Sequence, residues 1–135
     1  MSVGLDTSVV LRLLTGTPPH QAETARGLLA SAQEPVTLSD LVVGETYFAL
    51  RHHYAVPHAD AVRPLTALLS DPRVRGSGVA RAVLAEASSR GPAKSRPGLI
   101  DRLIHADYGR DDLQLVTFDR DLARIPGVRL LPPDS

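Results

Sequence analysis

The chain has 135 residues, 43% hydrophobic and 22% charged, with fifteen basic residues balancing fifteen acidic ones. This is enough for a single domain over residues 1–135 with one core, and the zero net charge removes any global pull toward nucleic acid or an anionic membrane, so a basic surface has to be local. No cysteine is present, which excludes a disulfide framework, a thiolate zinc site and a cysteine nucleophile and fits a reducing, cytoplasmic setting. The positive charge is almost all arginine, with Lys94 the sole lysine. The first apolar stretch is interrupted by Asp6 and Arg12, unlike a signal peptide, and no window approaches the roughly 18 apolar residues of a membrane span.

Ser2–Leu5 is a short apolar run ending at Asp6 and reads as a first strand. Ser8 to Leu14 follows with helical periodicity, and Gly16 with Pro18–Pro19 stops that helix and starts another over His20–Ala32. Pro35–Leu38 reads as a second strand. Ser39 or Asp40 caps a long helix to about Tyr54, whose apolar stripe is expected to be Leu41, Val42, Phe48 and Ala49, with Glu45 pointing the same way. Pro57–Leu69 is amphipathic, with a start or kink expected near Pro64. Asp71–Pro72 is a turn, Arg73–Ser77 a weak strand, and Val79–Ser88 a helix. Ser89–Pro97 is linker-like but too short to separate domains. A helix carrying Asp101 then breaks at Gly109 and leads to a strand over Leu113–Thr117, a turn over Asp119–Ile125, a last strand over Val128–Leu131, and a frayed PPDS tail. Strands alternating with helices predict an α/β three-layer sandwich, α/β/α, with a mainly parallel central sheet.

Several motifs fail on inspection. Lys94–Ser95 lacks the glycines of a phosphate-binding loop, and Gly76-Ser-Gly78 has Arg81 where a dinucleotide fingerprint has its third glycine. His52, His53 and His58 lack a carboxylate at suitable helical spacing for a metal site. No nucleophile elbow of a serine hydrolase occurs.

The acids behave differently as a set. Taken singly, Asp6, Asp101 and Asp119 each have an ordinary explanation as a cap or turn residue. A carboxylate on an apolar helix face, as Glu45 is expected to be, has to be paired, protonated or bound to a cation. Asp6 and Asp119 both end predicted parallel strands, at the sheet edge where α/β folds place ligands. Carboxylates gathered there repel one another, and a hard divalent cation such as Mg²⁺ or Mn²⁺ relieves the repulsion. Ser8 and Thr117 are neutral oxygens suited to orienting a carboxylate, and equally to capping and turn roles.

The residues Asp6-Thr7-Ser8, Ser39 with Glu45, Leu50 and Tyr54, Asp101-Arg-Leu-Ile and Thr117-Phe-Asp119, in this order and spacing, resemble the PIN-domain ribonucleases. The stretch DTSVVLRLLTGTPPHQAETARGLL and the eighteen-residue step from Asp101 to Asp119 are similar to the VapC-type toxins of toxin–antitoxin modules. The resemblance spans Asp6 to Leu131. It implies a PIN-like fold and an acidic pocket of Asp6, Glu45, Asp101 and Asp119 that binds Mg²⁺ or Mn²⁺, with Asp121 in reserve and Ser8 and Thr117 as polar support. It further implies metal-dependent hydrolysis of RNA phosphodiesters, transfer or ribosomal RNA among the substrates. Arg12, Arg51, Arg102 and Arg120 are then the candidates for escorting phosphates. A homodimer and a cognate antitoxin are also implied, the antitoxin docking on the helices around 39–54 and 57–69. His105, Tyr108 and the extra acid Asp107 depart from the family's mostly small residues there, and the 89–97 segment is looser than the family pattern.

The alternatives within the fold are a housekeeping nuclease of RNA maturation and a catalytically silent binding module. A receiver-type signalling domain would need a lysine near a late strand. A dehalogenase-type phosphatase would need an aspartate where Ser8 stands.

Overall fold

The computed structural model describes residues 2–90 and 97–132. Most of the 89–97 segment, including the Lys94–Ser95 pair, and the end of the PPDS tail lie outside the described residues. The chain alternates helices and short strands: α1 (Thr7–Thr15), α2 (Pro19–Ser31), β1 (Val36–Leu38), α3 (Asp40–His52), α4 (His58–Ser70), β2 (Val74–Gly76), α5 (Ala80–Arg90), α6 (Leu99–Arg110), β3 (Val116–Thr117) and β4 (Arg129–Leu130). A short 3₁₀ turn, Leu122–Arg124, lies between β3 and β4. No helix is long and apolar enough to cross a membrane among the described residues.

Every strand pairing is parallel, as the alternation of strands and helices requires. β1 pairs with β2 in the register Val36 to Val74 and Leu38 to Gly76. The first apolar run lies along the other side of β1, joined by one bridge from Gly4 to Thr37 and by hydrogen bonds Leu5 N–H to Thr37 O (2.9 Å) and Thr37 N–H to Val3 O (2.8 Å). β3 pairs with β4 as a separate two-stranded ladder.

β1 runs through the main core. Val36 and Leu38 are fully buried, as are Val10 of α1, Val43 of α3, Leu65 of α4 and Leu84 of α5. Leu115, Leu122 and Ile125 form a second, smaller cluster backed by Val128. The β3–β4 unit is thus held by its own few apolar contacts.

Four expectations are corrected. Helix α4 does not begin at Pro64 but runs from His58 through it to Ser70. Its buried residues Ala61, Val62, Leu65 and Leu69 straddle the proline. Burying them at about 1.5–3 kcal/mol for each large side chain outweighs the roughly 3 kcal/mol of an interior proline. Helix α6 continues past Gly109 to Arg110. The strand expected over Leu113–Thr117 shrinks to two residues, because Asp112 adopts φ 59° and the Leu113 N–H closes onto Tyr108 O, consuming residues 111–113 in ending the helix. The stripe assigned to α3 holds only in part: Ala49 is buried and Val42 packs against the core, but Leu41 is 86% and Phe48 48% exposed, and Val43, Tyr47 and Leu50 supply the rest of the buried face.

Two local features set the junctions. Asp71 accepts the Arg73 N–H (2.8 Å) and both Nε and Nη2 of its guanidinium, which fixes the turn into β2. The Arg73 bonds hold the Asp71 carboxyl down at about 2. Ser39 caps α3 through the Val42 N–H (3.2 Å), which leaves the Asp40 carboxylate free to cap a different helix. It accepts the Val79 and Ala80 N–H groups at 3.0 and 2.9 Å, at the start of α5. Gly78 is what admits it, since a Cβ there would lie 2.2 Å from an Asp40 carboxylate oxygen.

Asp40→Ala is expected to lower unfolding free energy by about 1–2 kcal/mol, the usual worth of a cap. Gly78→Ala should cost a similar amount alone but much less in the Asp40→Ala background, as a urea-denaturation double-mutant cycle would read. Thr46 is fully buried and its Oγ1 has no hydrogen-bond partner among the described residues. Thr46→Val, of the same shape, is therefore expected to raise stability by about 1 kcal/mol in the same assay.

Candidate functional site

Helix α3 carries side chains to two neighbouring surfaces. One turn of spacing puts Tyr47 and Arg51 on the same side, next to His52. They line a cleft of about 250 Å³ with Pro97, Gly98, Asp101, Asp119 and Asp121. The sequence therefore places three of its acids, from two distant segments, in one concavity.

Each acid is positioned by a different local device. Asp101 sits in the first turn of α6, where Gly98 holds the N-cap position, so the carboxylate is not consumed in capping. Its pKa is raised, first because burial disfavours the charged form and then because Asp119 and Asp121 add negative charge beside it. Asp119 is held in a tight turn: its N–H donates to Thr117 Oγ1 (2.9 Å) and its Oδ1 accepts the Asp121 N–H (2.8 Å). Thr117 thus serves as a turn hydroxyl that fixes the backbone of Asp119. Asp121 lies 3.8 Å from Arg124 in an exposed pair.

Asp6 and Glu45 are not among the cleft-lining residues. Asp6 occupies the N-cap position of α1 with extended backbone but makes no side-chain cap bond. Its carboxylate accepts the Ser8 hydroxyl at 3.0 Å. That bond, together with the Thr7 and Ser8 backbone N–H groups, holds its pKa below the usual carboxylate value. Glu45 accepts a hydrogen bond from the hydroxyl of Thr7, the buried residue next to Asp6. The premise that Glu45 sits on a buried apolar face is overturned, because the face it shares with Leu41 and Phe48 is open to solvent. Glu45 is instead tied to α1 through Thr7.

The four candidate arginines separate clearly. Arg51 lines the acid cleft and donates to Val56 O (3.3 Å). Arg12 Nε donates to Gln21 (2.6 Å). Arg102 is turned toward Pro97 O (3.1 Å) and Glu86 (3.5 Å), and lines another cavity with His105. Arg120 is exposed in the turn between Asp119 and Asp121. Asp107 pairs with Arg110 (3.2 Å) on the exposed side of α6.

Sequence reasoning missed Tyr47 and His52 as cleft residues. The signal was available in the i, i+4 spacing of Tyr47 and Arg51, but it needed the correct rotation of α3. Tyr47 is buried, its pKa is raised by that burial, and its hydroxyl meets His58 Nδ1 at 2.7 Å.

Hard oxygen donors suit Mg²⁺ or Mn²⁺ by chemistry, and the charges of Asp119 and Asp121 add to burial in raising the pKa of Asp101. The donors stand open: among the described residues no three His, Asp or Glu groups close into a ready-made ion site.

A family model described as PIN domain matches residues 3–128. Among solved structures, the chain is similar to VapC20 of Mycobacterium tuberculosis, a toxin that cleaves the sarcin–ricin loop. The identity is 24%, over 96% of this chain and 99% of that one, with a TM-score of 0.42. It is also similar to VapBC2 from Rickettsia felis, bound to a DNA fragment from their promoter, at 19% identity over 97% of this chain and 98% of that one, TM-score 0.41. No curated protein matches the chain.

Because the folded pKa of Asp101 lies above its unfolded value, the folded state binds the extra proton, and stability falls as pH rises through that window. Asp101→Asn is therefore expected to raise the melting temperature at neutral pH, with the gain vanishing below the ordinary aspartate range. Differential scanning calorimetry at pH 7.5 and about pH 2.5 would read both, and a loss of stability at pH 7.5 would contradict the raised pKa.

Proposed function

We propose that this chain, which belongs to the PIN domain family, is a divalent-metal-dependent endoribonuclease and the toxin of a type II toxin–antitoxin pair. PIN domains are typically metal-dependent nucleases, and that is the footing of the reading. The observation that carries it is the convergence of Asp101, Asp119 and Asp121 in one cleft, where burial and then the two neighbouring carboxylates raise the pKa of Asp101.

In this reading Asp101, Asp119 and Asp121 would hold the cation, while Asp6 and Glu45, linked through Thr7, lie outside the cleft and would add negative charge from α1 and α3. When bound, Mg²⁺ or Mn²⁺ supplies a water of lowered pKa and positive charge against the phosphate oxygens. The reaction is hydrolysis: the water oxygen bonds to phosphorus, one P–O ester bond breaks, and a proton ends on the departing oxygen. Thr117 keeps Asp119 turned into the cleft, and Ser8 orients Asp6. Arg51 is the arginine best placed to grip a phosphate at the acids, with Arg120 at the outer lip. Arg12 and Arg102 are engaged elsewhere and take lesser parts. RNA is the substrate because a member of this family with a local cation beside an otherwise acidic cleft is built for a polyanion delivered to metal. The toxin assignment rests on the order and spacing of the acidic motifs. The antitoxin would dock on α3 and α4, and a homodimer is the expected assembly.

Single-stranded RNA incubated with the protein and Mn²⁺ should be cut internally. Asp101→Asn and Asp119→Asn should each reduce the rate at least a hundredfold, about 3 kcal/mol of transition-state stabilisation. Arg51→Ala should raise KM more than it lowers kcat. Induction of the wild type in a host should arrest growth, and Asp101→Asn should relieve the arrest. Cleavage that survives chelation or the Asp101→Asn change would overturn the metal-nuclease reading, while cleavage without growth arrest would favour a housekeeping enzyme.

A further inference from the structure

We propose that the exposed aromatic ridge at the C-terminal end of α3, Phe48 with His52 and His53, is a stacking platform for the bases of a single-stranded RNA segment entering the acid cleft. This rests on the nuclease reading and assigns a substrate subsite beside it.

Phe48 is 48% exposed, although it is one of only two phenylalanines in the chain. The His52 ring lies against it with centroids 4.3 Å apart and planes tilted by 45°, and the His53 ring stands edge-on at 6.4 Å and 72°. Three planar rings are therefore presented together at the surface. One of them, His52, is also a wall of the cleft that holds Asp101, Asp119 and Asp121. On the other side, Phe48 lines an open groove of about 820 Å³ between α3 and α6, with Leu41 and Ile104 exposed on its walls. The ridge thus stands between the acids and an apolar trough.

The chemistry selects the occupant. The trough is lined mainly by apolar side chains, and at its rim Asp107 is already paired with Arg110, so the part of a nucleic acid that suits it is the neutral face of a base rather than the phosphate. Every base has such a face, and stacking on aromatic or imidazole rings is how single strands are held without sequence readout. Arg51, one residue from His52, meets the backbone phosphate as it passes from the ridge to the acids. A duplex cannot offer its base faces, so the platform would favour single-stranded or looped RNA over a duplex.

The test uses a short mixed-sequence oligoribonucleotide carrying 2-aminopurine, with the full-length protein in Ca²⁺ to hold back cleavage. It compares wild type, Phe48→Leu, Phe48→Trp and His52→Gln, and repeats the binding with an abasic oligomer of equal charge. The expected result is quenching of 2-aminopurine by the wild type, binding weakened about ten- to a hundredfold in Phe48→Leu, and recovery in Phe48→Trp. The abasic oligomer should bind weakly and indifferently to Phe48. Phe48 is half exposed, so a thermal melt in place of wild type is the folding control. Equal binding by Phe48→Leu, or the same loss with the abasic oligomer, overturns the platform. So does a Phe48→Leu protein that changes only its oligomeric state, which would mark the ridge as a contact between copies. A wild type that cleaves RNA but ignores Phe48 sinks the platform alone. Phe48-dependent binding with no cleavage in Mn²⁺ sinks the nuclease reading and leaves the platform standing.

Discussion

The Asp40 carboxylate is the tie on which the arrangement of the helices depends. It leaves the start of α3, directly after the central strand β1, and caps α5, directly after β2. Two N–H groups at a helix N-terminus are a favourable seat for a negative charge, and the bonds to them are charge-assisted. Because β1 and β2 are paired in parallel, one side chain spans both strand-to-helix junctions at the same end of the ladder. That ties the start of α3 to the start of α5, and α3 carries the Tyr47, Arg51 and His52 wall of the cleft. Gly78 has no special backbone duty here. It is the absence of a side chain that lets the carboxylate in.

The acidic cleft lies where two unequal cores meet. Asp101 stands on α6, whose Leu99 and Leu103 belong to the large core around β1. Asp119 and Asp121 stand on the β3–β4 unit, whose small cluster is Leu115, Leu122 and Ile125. Charge repulsion between the two sides opposes closing the cleft, and few apolar contacts hold the smaller side in place. A cation would reverse the sign of that interaction, so occupancy of the cleft and the seating of β3–β4 are expected to be linked.

Helix α3 shows both how far a sequence pattern reaches and where it stops. Its existence, its Ser39 cap and its length within two residues were legible, because the cap residue and the periodicity are local. Its rotation was not. Leu41 and Phe48 extend the apolar pattern as well as Val43, Tyr47 and Leu50 do, and only the neighbours decide which is buried. The misassigned stripe hid the Tyr47–Arg51–His52 side of the cleft and gave Glu45 a burial it does not have. Pro64 taught the same lesson in reverse, where a strong local signal gave way to a buried stripe on both sides of it.

The sequence by itself determined the alternation of strands and helices and the parallel pairing that follows from it. These depend on local propensity and on spacing along the chain. The tertiary structure decided which acids meet. It brought Asp121 in beside Asp101 and Asp119, joined Glu45 to Thr7, and sent Arg102 to Glu86 rather than to the acids. The physical reason is that a side chain's direction is set by the rotation of its helix and by how the packed elements close, quantities that have no period in the sequence to read.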